Sequence, residues 1–329
     1  MRYLQYNLFE RDTKNASGKA KNDVSAILRK YGFQNLYNPS ANAYIRLAQQ
    51  FFSILCIPKE SFMFVQYPAN LNVFYKILSL KKCFKVAIIH DLESLRGFID
   101  VQQEITILNM FNVVISHNSK MTEYLKENGL KTKVFELQIF DYLIMDNNLV
   151  NSNYKKDEIA FAGNLQKSEF LCKLDRLSGL NFKIYGVPKE IGDSLHHLNN
   201  IDYKGAFPAE KLIEVIQGGW GLVWDGDTVD TCNGVNGEYM KYNCPHKVSM
   251  YIIAERPVII WEKSAMAKFV KENNLGVVIN SLVDLPALIN GIRNEEYLEY
   301  LDSVRKLKKI LVEGKSLGNI IEKLITNKK

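Results

Sequence analysis

Short apolar runs alternate with longer stretches in which apolar residues recur every three or four positions. The first pattern predicts β-strands and the second predicts amphipathic helices. Tyr3–Tyr6 predicts a strand, and the polar segment "ERDTKNASGKAKND" after it predicts a loop. Helices are predicted over Asp23–Lys30 and Ala43–Leu55, then a strand over Ser61–Tyr67 that Pro68 stops, then a helix over Asn70–Leu80. "CFKVAIIHD" is a continuous apolar run, as expected of a strand buried on both faces. A helix at Val101–Met110, a strand at "NVVISH", a helix at Asn118–Gly129 and a strand at "KVFEL" follow. The helix at Asn118–Gly129 has a polar start, amphipathic spacing and a terminal glycine.

The pattern breaks between Phe140 and Asp157, where Asn and charged residues dominate, and a domain boundary is expected near Asn151. It then restarts with "IAFAG", "SEFLCKLDRL", "FKIYG", "IDYKG", "PAEKLIEVIQ" and "GLVW", read as strand, helix, strand, strand, helix and strand. A helix opening at "NCPHKVSM" comes next, then strand "PVII", helix "SAMAKFVKENN", strand "GVVI", helix "VDLPALINGI" and two terminal helical stretches. Alternating strands and helices predict βαβ units and parallel sheets. The expected fold class is α/β, with an N-terminal Rossmann-like domain over residues 1–150 and a second over 151–329. Ligands of such sheets bind outside the carboxyl ends of the strands.

The chain has 329 residues and a formal net charge of +6. Its Lys and Arg residues are spread along the sequence rather than gathered in a stripe, which speaks against a nucleic-acid partner. Five cysteines without CxxC spacing argue against a zinc site or a disulfide framework and fit a reducing compartment. The charged N-terminal stretch "MRYLQYNLFERD" lacks the apolar core of a signal peptide. No run is long enough to span a bilayer, so a cytoplasmic protein without stable membrane insertion is expected. The basic C-terminal helices leave self-association open.

Candidate chemistry concentrates at strand ends and at one helix mouth. In "KYNCPHKVSMYII", Asn243 can cap a helix and Pro245 fits its first turn, where the missing N–H is spare. A helix start is electropositive and presents unbonded amides, so it suits phosphate. Lys247 adds a full charge there, and His246 and Ser249 add donors; an ordinary capped helix is the alternative. Gly163 and Asn164 follow a strand, where a backbone can approach a ligand or simply turn. Tyr185 ends a strand and can stack on a base or fill the core. Asp225 and Asp227 in "WDGD" are read as loop aspartates rather than metal ligands. His90 and Asp91 end the buried "AIIHD" run and are candidates for a catalytic base, Asp91 first, with Glu93 behind; a helix cap with a satisfied histidine is the alternative. The "SLRGFIDVQQE" segment after them is read as a mobile acceptor-binding loop.

The segments "NLFERDTKNASGKAKND", "FAGNLQKS", "FKIYG", "YKGAFPAEKL", "WGLVWDGD" and "YNCPHKVSMYIIAERPVII" resemble GT-B glycosyltransferases. More narrowly, the chain resembles the bacterial glucosyltransferases that extend O-linked GlcNAc on serine-rich repeat adhesins. The resemblance implies a GT-B fold of two Rossmann-like domains facing across a cleft. It implies transfer of glucose from UDP-glucose to GlcNAc on a serine-rich repeat protein. It places Tyr242, Asn243, His246, Lys247 and Ser249 at the nucleotide sugar, with Gly163, Asn164 and Tyr185 nearby and Ser17 and Gly18 facing the donor phosphates. No metal or other cofactor is expected, since a helix end and basic residues replace the cation. A UDP-sugar epimerase of GT-B shape and a non-catalytic partner subunit of another transferase are the alternatives.

Overall fold

The computed structural model describes the chain except for residues 7–15, 39, 41, 70–71, 145–154, 189–194, 196 and 328–329. Two compact units emerge. One holds the N-terminal strand, residues 17–138 and residues 316–329; the other holds residues 139–315. The expected boundary near Asn151 lies outside the described residues.

Unit 1 is built on β1 (Arg2–Tyr6), β2 (Gln34–Asn35), β3 (Ser61–Tyr67), β4 (Phe84–Ile89), β5 (Val113–Ser116) and β6 (Lys133–Glu136). They form one parallel sheet in the order β2-β1-β3-β4-β5-β6. Its helices are α1 (Ala16–Lys30), α2 (Ala43–Leu55), α3 (Asn72–Ser79), α4 (Val101–Leu108) and α5 (Ser119–Glu127). Every residue of β3 is buried, because parallel crossovers lay helices on both faces. Phe33, Phe62 and Phe64 interlock at that core with centroids 5.3 and 5.6 Å apart in edge-to-face geometry. The terminal helix α12 (Lys315–Thr326) clusters with unit 1 from Ser316 on. Tyr31 there donates to Glu322 at 2.9 Å.

The loop expected around Ser17–Lys19 is instead the first turn of α1. Ala20, Val24, Ile27 and Leu28 form one buried stripe, and Lys19 pairs with Asp23 one turn on. That pair satisfies two charges that read as loop in the sequence.

Unit 2 contains β7 (Glu158–Ala162), β8 (Asn181–Tyr185), β9 (Ile201–Gly205), β10 (Trp220–Val223), β11 (Val258–Trp261) and β12 (Gly276–Ile279). The order is β12-β11-β10-β7-β8-β9, all parallel. This is the doubly wound Rossmann order, and its topological switch point lies between β7 and β10. The helices are α6 (Ala209–Val215), α7 (Gly234–Tyr239), α8 (His246–Ile253), α9 (Ala267–Glu272), α10 (Leu285–Gly291) and α11 (Asn294–Glu313). "SEFLCKLDRL", expected to be α-helical, forms a 3₁₀ segment over Glu169–Arg176. Leu171, Leu174 and Leu177 are all fully buried, and their three-residue spacing matches the 3₁₀ period.

Helix α8 is the keystone of unit 2, with Val248–Ile253 all buried. Its Tyr251 hydroxyl donates to Leu222 O (3.2 Å) and accepts from Ala162 N (2.9 Å), tying β10 to β7 across the switch point. Gly221 makes room for that ring: a Cβ there would lie 2.1 Å from it. Among the described residues, no helix is long and apolar enough to cross a membrane.

Candidate functional site

Strands β7 and β10 flank the switch point, and the residues just past their carboxyl ends are Gly163, Asn164, Trp224 and Asp225. Helix α8 begins beside them, and Lys247 in its first turn reaches into their midst. Lys247 Nζ donates to Asp225 Oδ1 at 3.1 Å and to Trp224 O at 3.3 Å. It also stands over the Phe161 ring, 4.9 Å from the centroid. A Cβ on Gly163 would come within 3.9 Å of the ammonium, so the Gly163 backbone is its neighbour. An ammonium has three N–H donors, and among the described residues two of these have acceptors.

Pro245 is the N-cap of α8, in extended geometry with no side-chain cap. The expectation that Asn243 caps this helix is therefore corrected. The chain turns at Lys241 and Tyr242, and Asn243 N donates back to Tyr239 O instead. Asn243 Oδ1 is buried and has no donor among the described residues. That orphaned acceptor is two residues from the mouth of α8, where a ligand hydroxyl would satisfy it. Ser249 is also corrected as a ligand donor: it is fully buried and its hydroxyl donates to Phe140 O at 2.7 Å. His246 stacks on Tyr142, with centroids 5.0 Å apart and planes 22° apart. Tyr242 is half-buried just ahead of the α8 mouth.

Asn164 is exposed, and its side chain accepts from Gln166 N at 3.1 Å, capping a short 3₁₀ turn. Tyr185 is buried, its hydroxyl accepts from Gln217 N at 2.8 Å, and its ring tilts against Phe207. Of the two sequence readings, a core tyrosine matches this placement, because a buried ring has no face for a base. Gly186 follows with φ +150°, and a Cβ there would be 2.2 Å from Gly163 O. Asp227 N donates to Asn233 Oδ1 at 2.7 Å, which closes the "WDGD" turn on itself.

In unit 1, Gly18 is buried in the first turn of α1, and Ser17 precedes it in that turn. His90 follows β4, and its Nε2 meets Gln66 Oε1 at 2.7 Å. Asp91 Oδ2 accepts from Arg96 Nη1 at 2.7 Å. The next turn hangs on Glu104 of α4, which is fully buried and accepts from Tyr67 Oη (2.8 Å), Glu93 N (2.8 Å), Ser94 N (3.2 Å) and the Ser94 hydroxyl. The stretch expected to be a mobile loop is thus tethered at its first half. Burial, reinforced by the Glu104 charge, raises the Glu93 carboxyl above the usual range.

The N-terminal domain of the glucosyltransferase 3-like family matches residues 2–139, and its C-terminal domain matches residues 159–324. The chain belongs to that family. It is 31% identical to the β-1,6-galactofuranosyltransferase WbbI of Escherichia coli K12 over 79% of this chain and 76% of the relative. It is 24% identical to glucosyltransferase 3 of Streptococcus gordonii over 94% and 93% of the two chains. In structure it is similar to an apo OtsA (TM-score 0.64, 10% identity, 99% of each chain). It is also similar to sucrose-phosphate synthase of Thermosynechococcus elongatus (TM-score 0.57, 12% identity, 88% and 81% covered). The fold is GT-B, and the protein is a glycosyltransferase.

Asp225, Phe161 and Gly186 were not singled out as site residues from the sequence. The signal for Asp225 was its place directly after an apolar strand, and the "WDGD" string drew attention to metal binding instead. Together the switch point, the helix mouth and Lys247 offer a dianionic group one ammonium, first-turn amides and a buried acceptor.

Proposed function

We propose that the family member transfers a hexose from a UDP-sugar to a saccharide acceptor, with the donor pyrophosphate held at the mouth of α8. The observation that carries this is Lys247 at the switch point beside the α8 amides and the Gly163 backbone, with one N–H that has no acceptor among the described residues. Charge growing on the departing diphosphate meets a fixed ammonium and a helix start, which is electrostatic stabilisation of the leaving group. No divalent cation is required in this scheme, and activity is expected to survive chelation. Deprotonation of the acceptor hydroxyl falls to Asp91, or to His90, the two residues just past the carboxyl end of β4.

The first reading of the substrates is glucose from UDP-glucose, transferred to GlcNAc O-linked on a serine-rich repeat protein. The family description and the near-full-length match to the Streptococcus gordonii protein support the glucosyl part of it, and the acceptor follows from the sequence resemblance. The second reading is galactofuranosyl transfer onto a glycan, favoured by the higher identity to the Escherichia coli enzyme. A donor panel of UDP-glucose, UDP-galactofuranose, UDP-galactose and UDP-GlcNAc, assayed against a GlcNAc-bearing Ser/Thr peptide and against free saccharides, separates them. Consumption of donor without acceptor would point to an epimerase. UDP binding with no turnover of any pair would leave a non-catalytic subunit.

A further inference from the structure

Helix α2 is inside out. Its polar side turns toward the protein: Gln50 donates to Tyr37 Oη at 2.8 Å, Arg46 donates to Ser40 O at 2.8 Å, and Gln49 accepts from Ser40 N at 2.9 Å. Its apolar side faces out. Tyr44, Ile45, Leu47, Phe51, Phe52 and Leu55 are between 44% and 86% exposed, and Leu80, just past α3, is 81% exposed. Only Ile54 of the large apolar side chains of α2 reaches the core. At a helical spacing of 100° per residue, the six outward residues cover one continuous arc of about 160°. A water-soluble helix ordinarily presents the opposite arrangement, so this face is built for an apolar environment.

The charge around it selects the partner. Between Val24 and His90 the chain carries eight basic residues, of which Lys85 is buried, and one acidic residue, Glu60, a net +7 in sequence, while the whole chain has +6. Lys81 donates to Leu55 O and so sits at the α2 C-terminus, with Lys82 exposed beside it in sequence. Lys59, exposed four residues past the helix end, shares a surface depression with Lys82. A second copy docked on this face would bring a second set of these cations and, between Val24 and His90, only Glu60 to offset each set. An anionic lipid surface instead takes the apolar arc into its acyl boundary and the lysines onto its headgroups.

We propose that α2 is an interfacial helix that docks this protein on an anionic bilayer surface. The contact is peripheral and uses residues apart from the donor site, so it stands or falls separately from the transferase reading.

The test is flotation of the full chain with vesicles of phosphatidylcholine alone or mixed with phosphatidylglycerol. Binding is expected to the mixed vesicles and to fall with added salt. Phe51→Ser with Phe52→Ser is expected to weaken binding about tenfold or more, and Lys59→Gln and Lys82→Gln about fivefold each. Because these residues are exposed, circular dichroism and turnover on a soluble acceptor should match wild type. Vesicle binding that the variants leave intact would overturn the proposal. So would absence of binding to the mixed vesicles, whether the protein runs as a monomer, which leaves the face to an acidic protein, or as a dimer that the Phe51/Phe52 variant dissociates.

Discussion

Replacing Lys247 with Ala tests the donor site at its most exposed assumption. A phosphoryl oxygen hydrogen-bonded to Nζ would lie about 2.8 Å from it. Asp225 Oδ1 is 3.1 Å from the same atom, so the carboxylate and the phosphate are at most about 6 Å apart. The substitution removes one charge-assisted hydrogen bond, about 1.5–3 kcal/mol. It also leaves Asp225 facing the pyrophosphate without its counter-charge. At an effective dielectric of about 20 and ~6 Å that repulsion is about 2–3 kcal/mol. Together they amount to about 4 kcal/mol, a loss on the order of 10³ in kcat/KM. The folding cost is smaller. The ion pair is partly solvated, with 15% and 22% of the two side chains exposed, and with the Phe161 contact its loss is about 1–2 kcal/mol. Steady-state release of nucleoside diphosphate, beside a urea titration, reads both. The double variant Lys247→Ala, Asp225→Ala should regain about 30- to 150-fold over the single, because the ~2–3 kcal/mol repulsion goes while the missing donor stays missing. A single variant within threefold of wild type refutes the reasoning. A double variant restored to wild type refutes it too, since Lys247 would then only have neutralised Asp225.

Three further outcomes are expected. Gly186→Ala should destabilise unit 2 by about 3 kcal/mol or more, because φ is +150° and the new methyl meets Gly163 O at 2.2 Å; an unshifted urea midpoint would contradict this. Burial lowers the His117 pKa to about 4, against an ordinary 6.5, while its Nε2 lies 2.9 Å from Ile89 O. The unfolded chain therefore takes up the proton first, and stability should fall by up to about 3 kcal/mol as pH drops from 6.5 toward 4, a slope that His117→Gln should flatten in pH-dependent denaturation. Burial alone would raise the Glu255 carboxyl, but hydrogen bonds and charge from Arg305 and Lys308 outweigh it and hold it below the usual range. Its stabilisation is present above the unfolded value of about 4.5 and is lost as pH falls through the lowered one, so Glu255→Gln should cost about 1 kcal/mol at pH 7 and little near pH 3, measured by thermal unfolding.

The sequence by itself determined the alternation of strands and helices, the two parallel sheets and the weight of the "PHK" segment. Those are local properties: Val86–Ile89 of "CFKVAIIHD" are apolar at every position because both faces of the strand are covered, and Pro245 announces a helix start wherever it sits. Local pattern erred where one segment's spacing admits two readings. The start of α1 read as loop because its charges are satisfied across one helical turn by each other, and "SEFLCKLDRL" read as α-helix although its leucines recur every three residues. Tertiary structure alone decided the strand order, and with it the switch point that brings Gly163, Asp225 and Lys247 together from three separated stretches. It also took Ser249 and Tyr185 into the core, where Phe140 O and Gln217 N bind their hydroxyls. A sequence states which side chains are able to serve; which of them face a ligand depends on hydrogen-bond partners that are distant along the chain, and only the folded sheet supplies those.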